Sequence, residues 1–191
     1  MRAFGLPRAC YVALNVSPGM LGSTRLRPLL QASGFPLDRV VIEVTEHMSV
    51  SDYTPVIAAR EQLRALGIRL AVDDAGAGYA SLRHILVLAP DMIKIDRSLI
   101  SGVDADPIRG SMVAAVLMFA MQSGAALVAE GVETQAELDT LRVLGVDHAQ
   151  GYFIAGPSTS AHHWANWQAP APAPRARPAS DRAVYIIPPV A

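Results

Sequence analysis

The chain has 191 residues, a formal net charge of -1 and 51% hydrophobic residues. That suits one domain plus a tail, or part of a larger domain, with enough apolar surface for a core. The near-neutral balance argues against duplex nucleic acid as a partner. The single cysteine, Cys10, excludes a disulfide framework and reads as a small buried residue in a reducing compartment. The longest apolar stretch, Met112 to Met121, is about half of what a spanning helix needs. No signal-like block precedes Pro18, so the expected location is cytoplasmic.

In chain order, Tyr11–Asn15 reads as a strand and Thr24–Ala32 as a helix ending near Gly34. Val40–Val44 is the next strand. Asp52–Leu66 is an amphipathic helix, with Ser51 as candidate N-cap and Gly67 placed to stop it. Arg69–Asp73 reads as a strand, Ser81–Leu88 as a short helix ahead of Pro90, and Met92–Ile95 as a strand. Pro107–Ser123 is a long helix closed by Gly124. Ala126–Ala129 is a strand, and Thr134–Leu144 a helix with a Thr134/Glu137 capping box. His148–Gln150 reads as a last short strand. The alternation predicts an α/β fold of parallel strands covered by helices, which is either a TIM-like barrel or an open doubly wound sheet.

The domain is expected to occupy residues 1–157. Residues 158–168, with Trp164 and Trp167, are expected to form a last barrel helix, and 169–191 an Ala/Pro/Arg-rich disordered tail. The apolar run Val184–Val190 within that tail has no evident role.

Polar groups recur where the strands end. Asn15 closes the first strand, Glu43 lies in the second, and Asp73-Asp74 end the third. Asp96 follows Ile95, and Glu130 follows Ala129. The carboxyl ends of parallel barrel strands share one face, where active sites form. Carboxylates gathered there repel one another unless a cation joins them. Oxygen donors without His or Cys suit Mg²⁺ or Mn²⁺. Lys94 adds a charge that can hold a phosphate or orient water. The residues alone therefore point to metal-dependent phosphodiester hydrolysis.

Plainer readings exist for each group. Paired Asp residues often begin turns, Glu46 can cap a loop, Lys94 can be solvated, and Glu133 suits a helix N-terminus. His84, His148, His162 and His163 show no ligand spacing. Gly76-Ala77-Gly78 after a strand is similar to a dinucleotide-binding loop, but its third glycine is absent and two Asp residues precede it.

Six strings resemble the EAL family of cyclic di-GMP phosphodiesterases, in that family's order. They are Asn15-Val16-Ser17-Pro18, Glu43-Val44-Thr45-Glu46, Asp73-Asp74-Ala75-Gly76-Ala77-Gly78-Tyr79, Lys94-Ile95-Asp96, Ala129-Glu130-Gly131-Val132-Glu133 and Gln150-Gly151-Tyr152. The resemblance implies a modified TIM barrel that cuts cyclic di-GMP to linear pGpG with Mg²⁺ or Mn²⁺, in bacterial second-messenger signalling. By the same resemblance, Asn15, Glu43 and Asp73 are metal ligands and Asp74 binds a second metal. Asp74 and Lys94 position the attacking water. Glu130 is the general base or a second-metal ligand. Asp96 and Gln150 line the metal and substrate site, Glu46 anchors the loop after Asp74, and Glu133 supports Glu130.

Two departures stand out. The Glu-Ala-Leu segment, whose Glu is a metal ligand, does not occur in this sequence, and only 14 residues precede Asn15. The expected barrel is therefore incomplete, lacking its first strand. The residue after the Asp pair is usually Phe in the family and is Ala75 here. The alternative expectation is a catalytically inactive module that binds cyclic di-GMP or another protein. Expected partners are cyclic di-GMP, a second copy in a homodimer, and a fused or separate sensor or GGDEF-type domain.

Overall fold

The computed structural model describes residues 11–45, 52–75, 85–158, 160 and 185–186. The chain divides into two compact units, Met1–Ile93 and Lys94–Ala191. Both follow the same plan, parallel strands alternating with helices, which is the α/β class of an incomplete TIM-like β/α barrel.

In the first unit, β1 (Val12–Asn15), β2 (Val40–Thr45) and β3 (Arg69–Ala75) form a parallel ladder. Five of the six β2 residues are buried, as expected of a strand covered on both faces. Between β1 and β2 run α1 (Pro18–Leu21) and α2 (Leu26–Ala32). Sequence reading treats this stretch as one helix and leaves α1 out. Ser17 supplies α1's start, its Oγ accepting from the Met20 N–H at 3.3 Å.

Helix α3 (Thr54–Arg64) is shorter than the expected Asp52–Leu66. Asp52 stays outside it, its carboxylate accepting the Thr54 N–H at 2.8 Å. Pro55 sits in the first turn, where its missing N–H costs nothing. Ser51 lies outside the described residues. Gly67 reverses the chain with φ +80°, so the expected stop is met just beyond the helix. Residues 85–88 are helical and form α4, while 81–84, the start of the expected helix there, lie outside the described residues. The Asp91 carboxylate accepts the Leu70 N–H at 2.9 Å, fastening the approach to β4 (Met92–Ile95) onto β3.

In the second unit, Asp96 caps the short helix α5 (Arg97–Ile100), and Asp106 caps α6 (Pro107–Ser123) by accepting from Ile108 and Arg109. Gly124, with φ +75°, ends α6 at the expected place. Strand β5 (Ala126–Ala129) matches its expected bounds and pairs in parallel with β6 (His148–Ala149). Helix α7 (Gln135–Leu144) carries the full capping box expected of Thr134 and Glu137 and stops at Gly145. Leu138 and Leu141 are fully buried on its inner face. Tyr185–Ile186, in the segment without an evident sequence role, form β7 alongside β6. The expected helix bearing Trp164 and Trp167 lies outside the described residues.

Candidate active site

Strand pairing in the first unit aligns the predicted ligands. Asn15 is in register with Glu43, and Glu43 with Ala71. Asp73 is two residues beyond Ala71. Opposite residues in paired strands share a face and the side-chain period is two, so Asn15, Glu43 and Asp73 project from one face. Glu43, on the middle strand, is 6% exposed, whereas Asp73 is half-buried and Asn15 exposed on the strands to either side.

Asp74 departs from the pleat. Its φ is +59°, a left-handed conformation uncommon outside glycine, and its N–H donates to the Asp73 carboxylate at 3.1 Å. In a regular strand the two side chains would point oppositely. Here carboxylate oxygens of the two lie within 4.8 Å of each other. Two ionised carboxylates at that distance repel by roughly 3 kcal/mol at an effective dielectric of about 20. A divalent cation would offset that repulsion, and left-handed conformations outside glycine are found more often at active sites than elsewhere. Sequence reading placed the pair but not the backbone turn, because Asp tolerates both conformations.

The second unit gathers Lys94, Glu130 and Gln150. Lys94 is on β4, Glu130 immediately follows β5, and Gln150 immediately follows β6. The Lys94 ammonium meets Glu130 Oε1 at 2.7 Å, with side chains 7% and 15% exposed. The Gln150 amide Nε2 donates to the same oxygen. A solvated surface role for Lys94 is thereby overturned: it is buried and paired. A buried ion pair is an expensive way to gain stability, so its presence at three strand ends argues for a chemical use.

Backbone bonds hold this cluster. The Glu130 N–H donates to Ile95 O at 3.1 Å, and Gln150 N–H to Ala129 O at 2.8 Å. Asp96, expected at the metal, is half-buried and caps α5, its Oδ1 accepting the Ser98 N–H at 2.8 Å. The Ser98 hydroxyl, with smaller help from the Ser98 and Arg97 N–H groups, holds its carboxyl below the ordinary range. Glu133 pairs with Arg97 at 2.9 Å, both side chains being largely exposed. Glu46 and the Gly76–Tyr79 loop lie outside the described residues.

The full connection made by Glu137 escapes sequence reading. Burial raises its pKa, but backbone N–H donors of Gly102, Glu133 and Thr134 outweigh that and hold it low. The Thr-x-x-Glu spacing reveals the capping part of this arrangement. The reach to Gly102, 35 residues earlier, leaves no local signal.

A family model described as EAL domain matches residues 1–157. This chain belongs to the EAL-domain family. It is 34% identical over 155 residues to the cyclic di-GMP phosphodiesterase RocR of Pseudomonas aeruginosa, covering 79% of this chain and 40% of that protein. It is 32% identical to the cyclic di-GMP phosphodiesterase PdeL of Escherichia coli, covering 80% of this chain and 43% of the relative. The chain thus spans less than half of either curated relative. Among solved structures, a standalone EAL protein from Vibrio cholerae in its c-di-GMP-bound form matches with TM-score 0.72 at 30% identity, over 81% of this chain and 67% of that one. The BlrP1 protein of Klebsiella pneumoniae, in a manganese and cyclic di-GMP complex, matches with TM-score 0.68 at 33% identity, over 75% of this chain and 38% of that one. Among the described residues no helix is long and apolar enough to cross a membrane.

Proposed function

We propose that this chain carries the phosphodiesterase chemistry of its family, the metal-dependent opening of cyclic di-GMP to linear pGpG. The observation that supports it most is the buried Lys94–Glu130–Gln150 cluster at the ends of β4, β5 and β6, in a chain of this family. The donors fit a hard divalent cation: Asn15, Glu43, Asp73, Asp74, Asp96 and Glu130 all offer oxygen, with no thiolate or imidazole among them. When bound by such donors, Mg²⁺ or Mn²⁺ would supply charge neutralisation at the phosphodiester and a more acidic water.

The protein's own groups do the rest. Glu130 accepts a proton from the attacking water, and its Lys94 and Gln150 partners hold the accepting carboxylate in one orientation. The family resemblance assigns the orientation of that water to Lys94 and Asp74, and the lining of the substrate's path to Gln150 and Asp96. Glu133 and Glu46 support the neighbouring loops. A relative from Pseudomonas aeruginosa, the bifunctional diguanylate cyclase/cyclic di-GMP phosphodiesterase MucR, is 33% identical over 152 residues, and partnership with a GGDEF-type domain is proposed on that basis. A homodimer is a further proposed assembly.

The test is hydrolysis of cyclic di-GMP by the purified chain with Mg²⁺ or Mn²⁺, with product resolved by chromatography. Linear pGpG that disappears on chelation, and in Glu130→Gln, supports the reading. A cooperatively folded chain that yields no product rejects it. Calorimetric binding of cyclic di-GMP in that case identifies the inactive binding module instead.

A further inference from the structure

We propose that Glu137 is a positioning residue for Glu130, tying the chain that leaves β5 to the turn that leaves α5. The inference rests on the proposed use of Glu130 at a divalent ion. Glu137 is 4% exposed, although it lies on a helix whose first turn could present it to solvent. Its Oε2 accepts the N–H groups of Glu133 at 2.8 Å and Thr134 at 3.0 Å. Its Oε1 reaches across to the Gly102 N–H at 3.0 Å. Capping α7 needs only the first oxygen. The second joins two segments that both begin at the candidate site.

Those segments are short. One runs from Glu130 to Thr134, and the other from Asp96 through α5 to Gly102. They are joined at their start by the Glu130 N–H to Ile95 O bond and midway by the Arg97–Glu133 ion pair. The side chains of that pair are 58% and 40% exposed, so water and salt weaken it. Glu137 makes the far tie with a buried carboxylate and three backbone donors, the stronger class of hydrogen bond. Removing it leaves those donors without their acceptor and frees the segment to shift Glu130 from its place. Partners that orient a ligand without touching the ion commonly change metal affinity by roughly ten- to a hundredfold.

The test is Mn²⁺ binding to the full chain by calorimetry, with thermal melting in parallel, for wild type, E137A, E137Q and T134A. T134A removes the cap hydroxyl of α7 but leaves the Glu137 carboxylate and its three backbone donors in place, so it measures the loss of the cap with the Gly102 tie intact. Roughly tenfold weaker binding is expected for E137A, and about threefold weaker for E137Q, whose remaining oxygen accepts from two of the three donors. T134A is expected to melt earlier with wild-type affinity. Wild-type affinity in a folded E137A overturns the proposal, as does an equal loss in T134A. Should E137A fail to fold, E137Q decides, and wild-type affinity there overturns it. A wild-type chain that binds no Mn²⁺ rejects the metal reading itself and this inference with it.

Discussion

Gly131 leads the chain away from Glu130 with φ +67°, and a Cβ there would lie 2.6 Å from Cβ and Cγ of Arg97. These atoms lie near the Arg97 backbone, so the collision cannot be relieved at the flexible tip. Gly131→Ala is expected to lower stability by about 1–3 kcal/mol, from left-handed strain and displacement of Arg97 together. Urea unfolding monitored by circular dichroism checks this, and an unchanged midpoint counts against so tight a fit. The glycine is visible in the sequence as part of Glu130-Gly131-Val132-Glu133, but the neighbour that demands it is 34 positions away. Asp74 behaves likewise: its carboxylate is legible, while its left-handed φ of +59° is not. At this scale chemistry is written in the residue type, and orientation in the surroundings.

At the scale of elements, local and tertiary signals agree best in the second unit. Helix α6 has Asp106 and Pro107 at one end and Gly124 at the other, so local chemistry marks both boundaries. Helix α7 has a capping box before it and Gly145 after it. Its attachment comes from Leu138 and Leu141, both fully buried. Leu141→Ala is therefore expected to cost about 2–5 kcal/mol by leaving a cavity, whereas a lost cap typically costs about 1 kcal/mol. Thermal melting of the variant decides between these scales; a loss below the cap value would mean the helix is held chiefly by its ends. The elements that sequence reading omitted, α1, α5 and β7, have two to four residues each. Pieces that short span about one hydrophobic period each, too little for a repeat to show, so their contacts define them.

For the molecule as a whole, metal binding and folding are linked. An ion held by the native chain and not by the unfolded one stabilises it by mass action. Mn²⁺ at about a hundred times its dissociation constant is expected to raise the unfolding free energy by about 2.7 kcal/mol, and a chelator to remove that gain. Denaturant titrations with and without Mn²⁺ provide the measurement. An identical midpoint in both would show that the native carboxylates hold no ion.

The sequence by itself determined the α/β alternation, most strand positions and the identity of the acidic groups. Those depend on periods of two and 3.6 residues and on short capping patterns, which neighbouring residues encode. It also determined the family, because several short strings recur in one order. Tertiary structure decided that Lys94 is buried against Glu130 and Gln150, and that Asp74 turns back beside Asp73. It also decided that Glu137 reaches Gly102. Those facts depend on distances between residues far apart in the chain, or on a backbone angle that several residue types tolerate, and local sequence encodes neither.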